Sequence, residues 1–159
     1  MEGKKSLTEN ELYNIGASMC ARTEHCSAEV ASRLLRGTDD EDLVARVILR
    51  LTEERFIDEE RYVRAFVNDK LRFARWGRIK IRHELWRKQV SEKIYAPILQ
   101  QIDEASYLAT LKELLRAKKK TLRGKDTLTQ KSSLLRFATS RGFEPSLIYP
   151  LIGMDDELM

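Results

Sequence analysis

The residues best placed to do chemistry are the lysines and arginines between Lys70 and Lys88. This stretch of nineteen residues holds eight of them and a single acid, Glu84, so its net charge is +7. Such a concentration of one sign attracts polyanions. Lysines and arginines that contact phosphates release condensed counterions, which gives an affinity that does not depend on base sequence and that falls with salt. The pattern therefore indicates a binding surface.

We predict that two basic patches bind a polyanionic partner. The first patch consists of Lys70, Arg72, Arg75, Arg78, Lys80, Arg82, Arg87 and Lys88, and the second of Lys118, Lys119, Lys120, Arg123 and Lys125. Trp76 lies within the first patch, where its ring either stacks on a base or packs under the neighbouring glycine. Aromatic residues in helical stretches are more often core than platform, which favours packing. Charge alone fits an ordinary solvated helical surface equally well.

The charge is distributed unevenly along the chain. Residues 1–60 contain fourteen acids and eight bases, a net charge of −6, whereas all 159 residues together carry +4. Such asymmetry in a small chain points to a polyanionic partner for the basic part.

No catalytic constellation is readable. His25 and His83 have no nucleophile at a strained turn beside them, and the chain lacks a Gly-rich phosphate loop, an HExxH motif and paired carboxylates. Cys20 and Cys26 supply too few ligands for zinc, and we expect them to be small residues that pack between helices. The sequence therefore predicts a protein without enzymatic activity, metal or cofactor.

The elements that position the basic residues are helices. One buried stripe recurs at steps of three and four residues, namely Tyr62, Val63, Phe66, Val67 and Leu71. This helix starts at Asp58 and ends around Gly77, and a shorter one follows to about Lys88. Near the N-terminus, Thr8 precedes Glu11 with the spacing of a capping box, which predicts a helix start. No stretch alternates with a period of two, so the fold class is all-α.

Apolar positions recur at two fixed offsets. An offset of 51 residues relates a first set of positions to a second, namely Val30, Leu34, Leu43 and Val47 to Ile81, Leu85, Ile94 and Ile98. An offset of 53 residues relates this second set to a third, namely Leu134, Ala138, Leu147 and Leu151. Helical proteins offer apolar residues at many offsets, so chance is the alternative explanation. The spacing predicts three tandem three-helix repeats, at residues 1–57, 58–102 and 103–159. Each repeat is too small to bury its own faces, so we expect the repeats to stack in an elongated row.

The middle third of the chain resembles a known family. The run FIDEERYVRAFV, residues 56–67, is followed by a basic stretch, by Trp76-Gly77 and by an Ile-x-x-Glu-Leu motif that ends at Leu85. These features occur in the same order in the RecX family of bacterial recombination regulators. Outside the middle, the resemblance rests on the helix pattern and on Arg141–Phe143. The family's Gly-Pro and Lys-Gly-Ile are replaced here by Gly77-Arg78 and Lys88–Val90.

The resemblance implies a protein of three tandem three-helix repeats, each similar to a helix-turn-helix unit. It further implies binding to the RecA recombinase filament and to single-stranded DNA, with inhibition of the recombinase in DNA repair, recombination and the SOS response. The alternative is a helix-turn-helix protein that reads duplex DNA. We expect a cytoplasmic protein that does not bind membranes, because no apolar run approaches the roughly 20 residues that cross a bilayer and no secretory signal is readable. We also expect it to be a monomer.

Overall fold

The computed structural model describes residues 6–157, and all the regular elements in that range are helical. The nine α-helices are α1 (Glu9–Arg22), α2 (Ser27–Leu34), α3 (Glu41–Glu53), α4 (Glu59–Asp69), α5 (Arg78–Arg87), α6 (Glu92–Gln100), α7 (Glu104–Lys120), α8 (Thr127–Ser140) and α9 (Pro145–Glu157). A π turn at Lys70–Ala74 continues directly from α4. The expected all-helical fold is confirmed, whereas the π turn was not foreseen.

Local capping explains where several helices begin. At the start of α1, the Glu11 N–H donates to Thr8 Oγ1 at 3.2 Å, and the Thr8 N–H donates to the Glu11 carboxylate at 3.1 Å. The predicted capping box is therefore present. The starts of α3, α7 and α8 are capped in a related way by the carboxylates of Asp40, Asp103 and Asp126. Each such cap stabilises its helix by roughly 1 kcal/mol.

The chain forms two compact units. The first unit contains the described residues up to Phe66 together with Leu85–Ala96, and the second contains Val67–Glu84 and the described residues from Pro97 onward. Helices α4, α5 and α6 each contribute residues to both units. The boundaries of the three repeats therefore stay a prediction.

Each unit has a hydrophobic core of its own. In the first unit α1 packs against α2 and α3, and the core contains Leu12, Val30, Leu34, Val44, Val47, Leu51 and Ile57. In the second unit α7, α8 and α9 pack together, and the core contains Tyr107, Leu111, Leu114, Leu115, Leu122, Leu134, Ala138, Phe143, Ile148 and Ile152. Apolar burial of this kind is the main favourable contribution to folding.

Burial follows the repeated spacing found in the sequence. The first two positions of each set are buried in all three copies, at Val30 and Leu34, at Ile81 and Leu85, and at Leu134 and Ala138. The third position is half-buried in every copy, at Leu43, Ile94 and Leu147. The fourth position is buried at Val47 and Ile98 and half-buried at Leu151. Three of the four positions therefore keep the same environment in every copy, as expected if the helices recur in the same register.

The turns after α5 and α8 have the same backbone geometry. Gln89 and Gly142 are 53 residues apart, and both have positive φ, 63° and 96°. In each turn the next residue is buried and its N–H donates at 3.1 Å to the carbonyl five residues back, Val90 to Leu85 and Phe143 to Ala138. This arrangement is the Schellman motif that ends many helices. The second repeat offset therefore relates two copies of one turn.

Two glycines bring two backbone segments of the second unit into direct contact. The Gly77 N–H donates to the Arg141 carbonyl at 2.7 Å, and the Ile79 N–H donates to the Gly142 carbonyl at 3.0 Å. These bonds satisfy N–H groups that the start of α5 leaves without helical partners. A Cβ at Gly77 would lie 2.2 Å from the Gly142 oxygen, and a Cβ at Gly142 would lie 2.3 Å from Lys80 Cβ. Glycine is therefore required on both sides of this glycine contact.

We expect Gly77→Ala to lower the free energy of unfolding by roughly 2–3 kcal/mol, because the added methyl group meets backbone atoms that cannot move aside. Gly153→Ala is the matched control, since no atom lies within 4 Å of a Cβ built at that position in α9. It should raise the free energy of unfolding by about 0.5–1 kcal/mol, because alanine is the better helix former. Chemical denaturation measures both effects. Native stability in Gly77→Ala would contradict the glycine contact.

Candidate nucleic-acid interface

The first predicted patch is built around the π turn. The Arg75 N–H donates to the Lys70 carbonyl, the Trp76 N–H donates to the same carbonyl at 2.9 Å, and Arg75 is left-handed with φ of 54°. The side chain of Arg141 donates to the Ala74 carbonyl at 3.2 Å and so satisfies a group at the end of the turn. π turns are rare and often occur at functional sites.

Trp76 is half-buried beside this turn. The ammonium groups of Lys70 and Lys80 lie 4.7 and 4.4 Å from the centroid of its ring, within the range of cation–π attraction. These contacts favour packing over base stacking for Trp76. They also show that Lys70 and Lys80 gather around one aromatic ring.

A cavity of about 400 Å³ in the second unit adjoins the same residues. Arg72, Arg75 and Trp76 form one part of its lining, and Tyr107 and Phe143 contribute aromatic surface to another. Arg75 also forms an exposed ion pair with Glu113 at 3.5 Å, of a kind that is worth little in water. The structure therefore brings five predicted residues together, namely Lys70, Arg72, Arg75, Trp76 and Lys80.

Arg78 has a different environment from the rest of the patch. Its side chain is 13% exposed and donates to Glu144 at 2.7 Å and to Glu104. Its guanidinium lies 4.0 Å from the centroid of Tyr107, whose hydroxyl accepts from the Arg78 N–H at 2.9 Å and donates to Glu144. Burial, followed by the bond to Glu144, raises the pKa of Tyr107 well above its usual value. Arg78 thus ties the start of α5 to α7 and to the turn before α9, with its charge balanced by two carboxylates.

The last three residues of the first patch do not all lie in the same unit. Arg82 is exposed on α5 in the second unit, whereas Arg87 and Lys88 belong to the first unit. The Lys88 ammonium donates to Glu29 at 2.7 Å. Burial raises the pKa of Glu29, but the bonds from Lys88 and from the Cys26 N–H outweigh burial and leave the pKa below its usual range.

The second predicted patch surrounds a cavity of about 540 Å³ at the turn between α7 and α8. Its charged lining residues are Arg116, Lys119, Lys120 and Arg123, without a carboxylate among them. Lys118 instead lies over the ring of Phe137, 5.5 Å from its centroid, and Lys125 is exposed outside the lining. Arg116 was missed in the sequence, although it precedes Lys119 and Lys120 by three and four residues, the spacing of one helix face. An all-cationic concave surface of this kind focuses a positive potential.

Among the side chains that the structure describes, those of residues 6–153, no group of three or more histidines, cysteines, aspartates or glutamates is placed to hold a metal ion. Cys20 and Cys26 are free thiols, and burial raises the pKa of both. A raised pKa leaves less of the reactive thiolate. Across the same range, none of the helices combines the length and the apolar character needed to cross a membrane.

These features define an all-helical protein with a repeated helix–turn–helix geometry and a cationic surface. Its fold is that of the crystal structure of RecX from Lactobacillus salivarius, with a TM-score of 0.82 over 93% of this chain and 96% of that chain, at 16% identity. Another crystal structure, of a regulatory protein RecX, gives a TM-score of 0.82 over 91% of this chain and 71% of that chain, at 18% identity. The family model for the second three-helix domain of RecX matches residues 58–96.

Sequence relatives identify the family. The Regulatory protein RecX of Clostridium perfringens is 32% identical over 147 residues, which cover 89% of this chain and 68% of that protein. The Regulatory protein RecX of Chlorobium limicola is 27% identical over 139 residues, which cover 86% of this chain and 84% of that protein. This chain belongs to the RecX family of regulatory proteins. The resemblance seen in its middle third is thereby confirmed.

We expect Arg78→Gln to lower the free energy of unfolding by about 2–3 kcal/mol, because it leaves Glu144 and Tyr107 without their charged partner. Arg82→Gln removes an exposed arginine from the same helix and should change stability by less than about 0.5 kcal/mol. Thermal and chemical denaturation of the two variants compare them directly. Equal stability would contradict the structural role of Arg78.

We expect Glu29→Gln to lower the free energy of unfolding by about 1 kcal/mol at pH 6. A folded-state pKa below the unfolded value of about 4.3 stabilises the protein above that pH, and the stabilisation is lost as pH falls through the folded value. The difference between native and Glu29→Gln chains should therefore shrink towards pH 3. Denaturation at several pH values measures this difference.

Glu60→Gln is the control for that pH series. It removes an exposed carboxylate, 3.0 Å from Arg64, in a surface pair that should contribute less than about 0.5 kcal/mol. A gap between native and Glu29→Gln chains that stays constant from pH 6 to pH 3 would contradict the bond between Glu29 and Lys88.

Proposed function

We propose that this chain binds the RecA recombinase filament and single-stranded DNA and inhibits the recombinase in DNA repair. Family membership supports the regulatory role, and the resemblance of the middle third to the RecX family supplies RecA as the partner. The DNA-binding part of this proposal rests on the cavity between α7 and α8, because all the charged residues that line it are cations.

The proposed binding surface consists of two cationic regions in the second unit, which together are called the cationic surface. Its members are Lys70, Arg72, Arg75, Lys80 and Arg82 from the first patch and Arg116, Lys119, Lys120 and Arg123 from the second. Lysine and arginine contacts to phosphates position a protein on a strand without reading its sequence. A protein filament on single-stranded DNA also offers acidic side chains, so one surface serves both kinds of contact. Arg78 and Lys88 are excluded from this surface because each has a carboxylate at 2.7 Å, whereas the carboxylate partners of Lys70 and Arg75 lie farther away, at 3.7 and 3.5 Å.

Reading of duplex DNA is the alternative function, and the composition of the helices argues against it. Helix-turn-helix proteins read bases through side chains of a recognition helix in the major groove. In three-helix units that role falls to the last helix of each group. Here α3 contains two cations, Arg46 and Arg50, against three acids, α6 contains one cation and one acid, and α9 contains no lysine or arginine. None of the three helices carries a net positive charge, which disfavours their docking between the phosphates of the major groove.

The proposed regulator has no catalytic role of its own. The named relatives are regulatory proteins. We infer a cytoplasmic monomer that needs no cofactor, as the sequence predicts.

The test is ATP hydrolysis by RecA on single-stranded DNA, with and without this chain. We expect hydrolysis to fall as the chain is added, because the chain restrains the filament. In a parallel titration with labelled probes, binding to RecA-coated single strands should exceed binding to bare duplex. Unchanged ATP hydrolysis would contradict the regulatory proposal, and equal affinity for the two probes would favour the duplex reader.

The double variant Arg72→Gln, Arg82→Gln tests the cationic surface. We expect weaker binding to single strands, and a plot of log affinity against log salt that is shallower by about 0.7 for each phosphate that the variant no longer neutralises. Arg36→Gln with Arg46→Gln is the control, because it removes the same charge from the first unit. Equal binding by the two double variants would remove Arg72 and Arg82 from the proposed interface.

A further inference from the structure

Phe73 is exposed on the π turn, and neither the core nor the cationic surface gives it a role. The residue is 78% exposed, although phenylalanine is among the residues most often buried. In the sequence it lies outside the buried stripe of its helix and was not a candidate binding residue. Its exposure is the first sign that its ring serves a partner.

The charges next to Phe73 in the chain are all positive. Arg72 precedes it and Arg75 follows two residues later, and no acid occurs from Lys70 to Lys80. The nearest acids in the ion-pair network are Asp69, which pairs with Lys70, and Glu113, which pairs with Arg75. Arg72 has no carboxylate within ion-pair distance among the pairs formed by the described residues, so its guanidinium is available to phosphate.

The backbone that carries Phe73 is held in a costly conformation. A π turn lengthens the hydrogen-bonded ring by one residue, and Arg75 adopts the left-handed region that residues other than glycine avoid. The bonds from Trp76 to Lys70 and from Arg141 to Ala74 fix this conformation from both ends. The ring of Phe73 is therefore carried by an anchored turn, which reduces the entropy cost of binding.

We propose that Phe73 stacks on an unpaired base of single-stranded nucleic acid while Arg72 and Arg75 contact the phosphates on either side. This inference rests on the proposed function, and it supplies the feature that distinguishes single strands from duplex. Cations alone do not prefer a single strand, because duplex DNA has the higher charge density and releases more counterions per contact. Bases within a duplex are already stacked, whereas every unpaired base has a face open to an aromatic ring.

The test compares a thymidine oligonucleotide with an abasic strand of the same length and charge. We expect Phe73→Ala to weaken binding to the thymidine strand about tenfold and to leave binding to the abasic strand unchanged, since stacking is removed and the phosphate contacts remain. Phe73→Trp should bind the thymidine strand at least as tightly as the native chain. Fluorescence anisotropy at one fixed salt concentration measures all the affinities.

Leu128→Ala is the matched control, because Leu128 is a large apolar residue that is 77% exposed in the same unit. It should bind both strands as the native chain does. Denaturation should give native stability for both alanine variants, since neither side chain is buried. A loss of affinity in Leu128→Ala equal to that in Phe73→Ala would assign the effect to general apolar surface and overturn the inference.

The outcomes separate this inference from the proposed function. Equal binding of the thymidine strand by native and Phe73→Ala chains overturns stacking and leaves RecA inhibition standing. A loss of affinity in Phe73→Ala that occurs only on RecA-coated strands means that the ring contacts protein, which also overturns stacking. A native chain that binds no bare strand overturns stacking together with the DNA-binding part of the proposed function, while the ATP hydrolysis test still decides the inhibition of RecA.

Discussion

The contact between the backbones at Gly77 and Gly142 is the constraint on which the second unit depends. It lets the N–H groups at the start of α5 donate to carbonyls of the turn before α9, whereas the N–H groups of other helices donate to a side-chain cap. Because α5 begins against that turn, Arg78 reaches Glu144 and lies over Tyr107. The same turn supplies Arg141, whose side chain fixes the end of the π turn. One close approach of two backbones thus orders the region that presents the cationic surface.

Cations serve two separate purposes in this chain, and their surroundings decide which. Where a carboxylate lies within hydrogen-bonding distance and the side chain is largely shielded from water, as at Arg78 and Lys88, the charge joins one element to another. Where cations surround a concave surface without carboxylates, as between α7 and α8, their fields add. Only the second arrangement attracts a polyanion strongly enough to offset the entropy that the polyanion loses on binding.

The fold is kept across relatives that share few residues. A match with a TM-score of 0.82 at 16% identity shows that the order and packing of helices tolerate wide substitution. Cores accept many apolar residues as long as pattern and volume are maintained. The helix–turn–helix geometry here recurs with last helices that carry no net positive charge, so a shared geometry does not by itself bring a shared function. Function has to be argued from the surface that this chain presents.

The sequence by itself determined the helices, the family and most of the positions that are buried, although Phe66 and Leu71 of the predicted stripe are only half-buried. Those features rest on interactions within a few residues, such as the capping box at Thr8 and the stripe that contains Tyr62 and Val63, or on a repeated spacing that any correct register must bury. It also predicted two basic patches, whose role in binding stays a prediction. The tertiary structure alone decided that Arg78 pairs with Glu144, 66 residues away, and that the ring of Phe73 is exposed. Neither can be read from local pattern, because a side chain's charge balance and exposure depend on what distant segments place beside it.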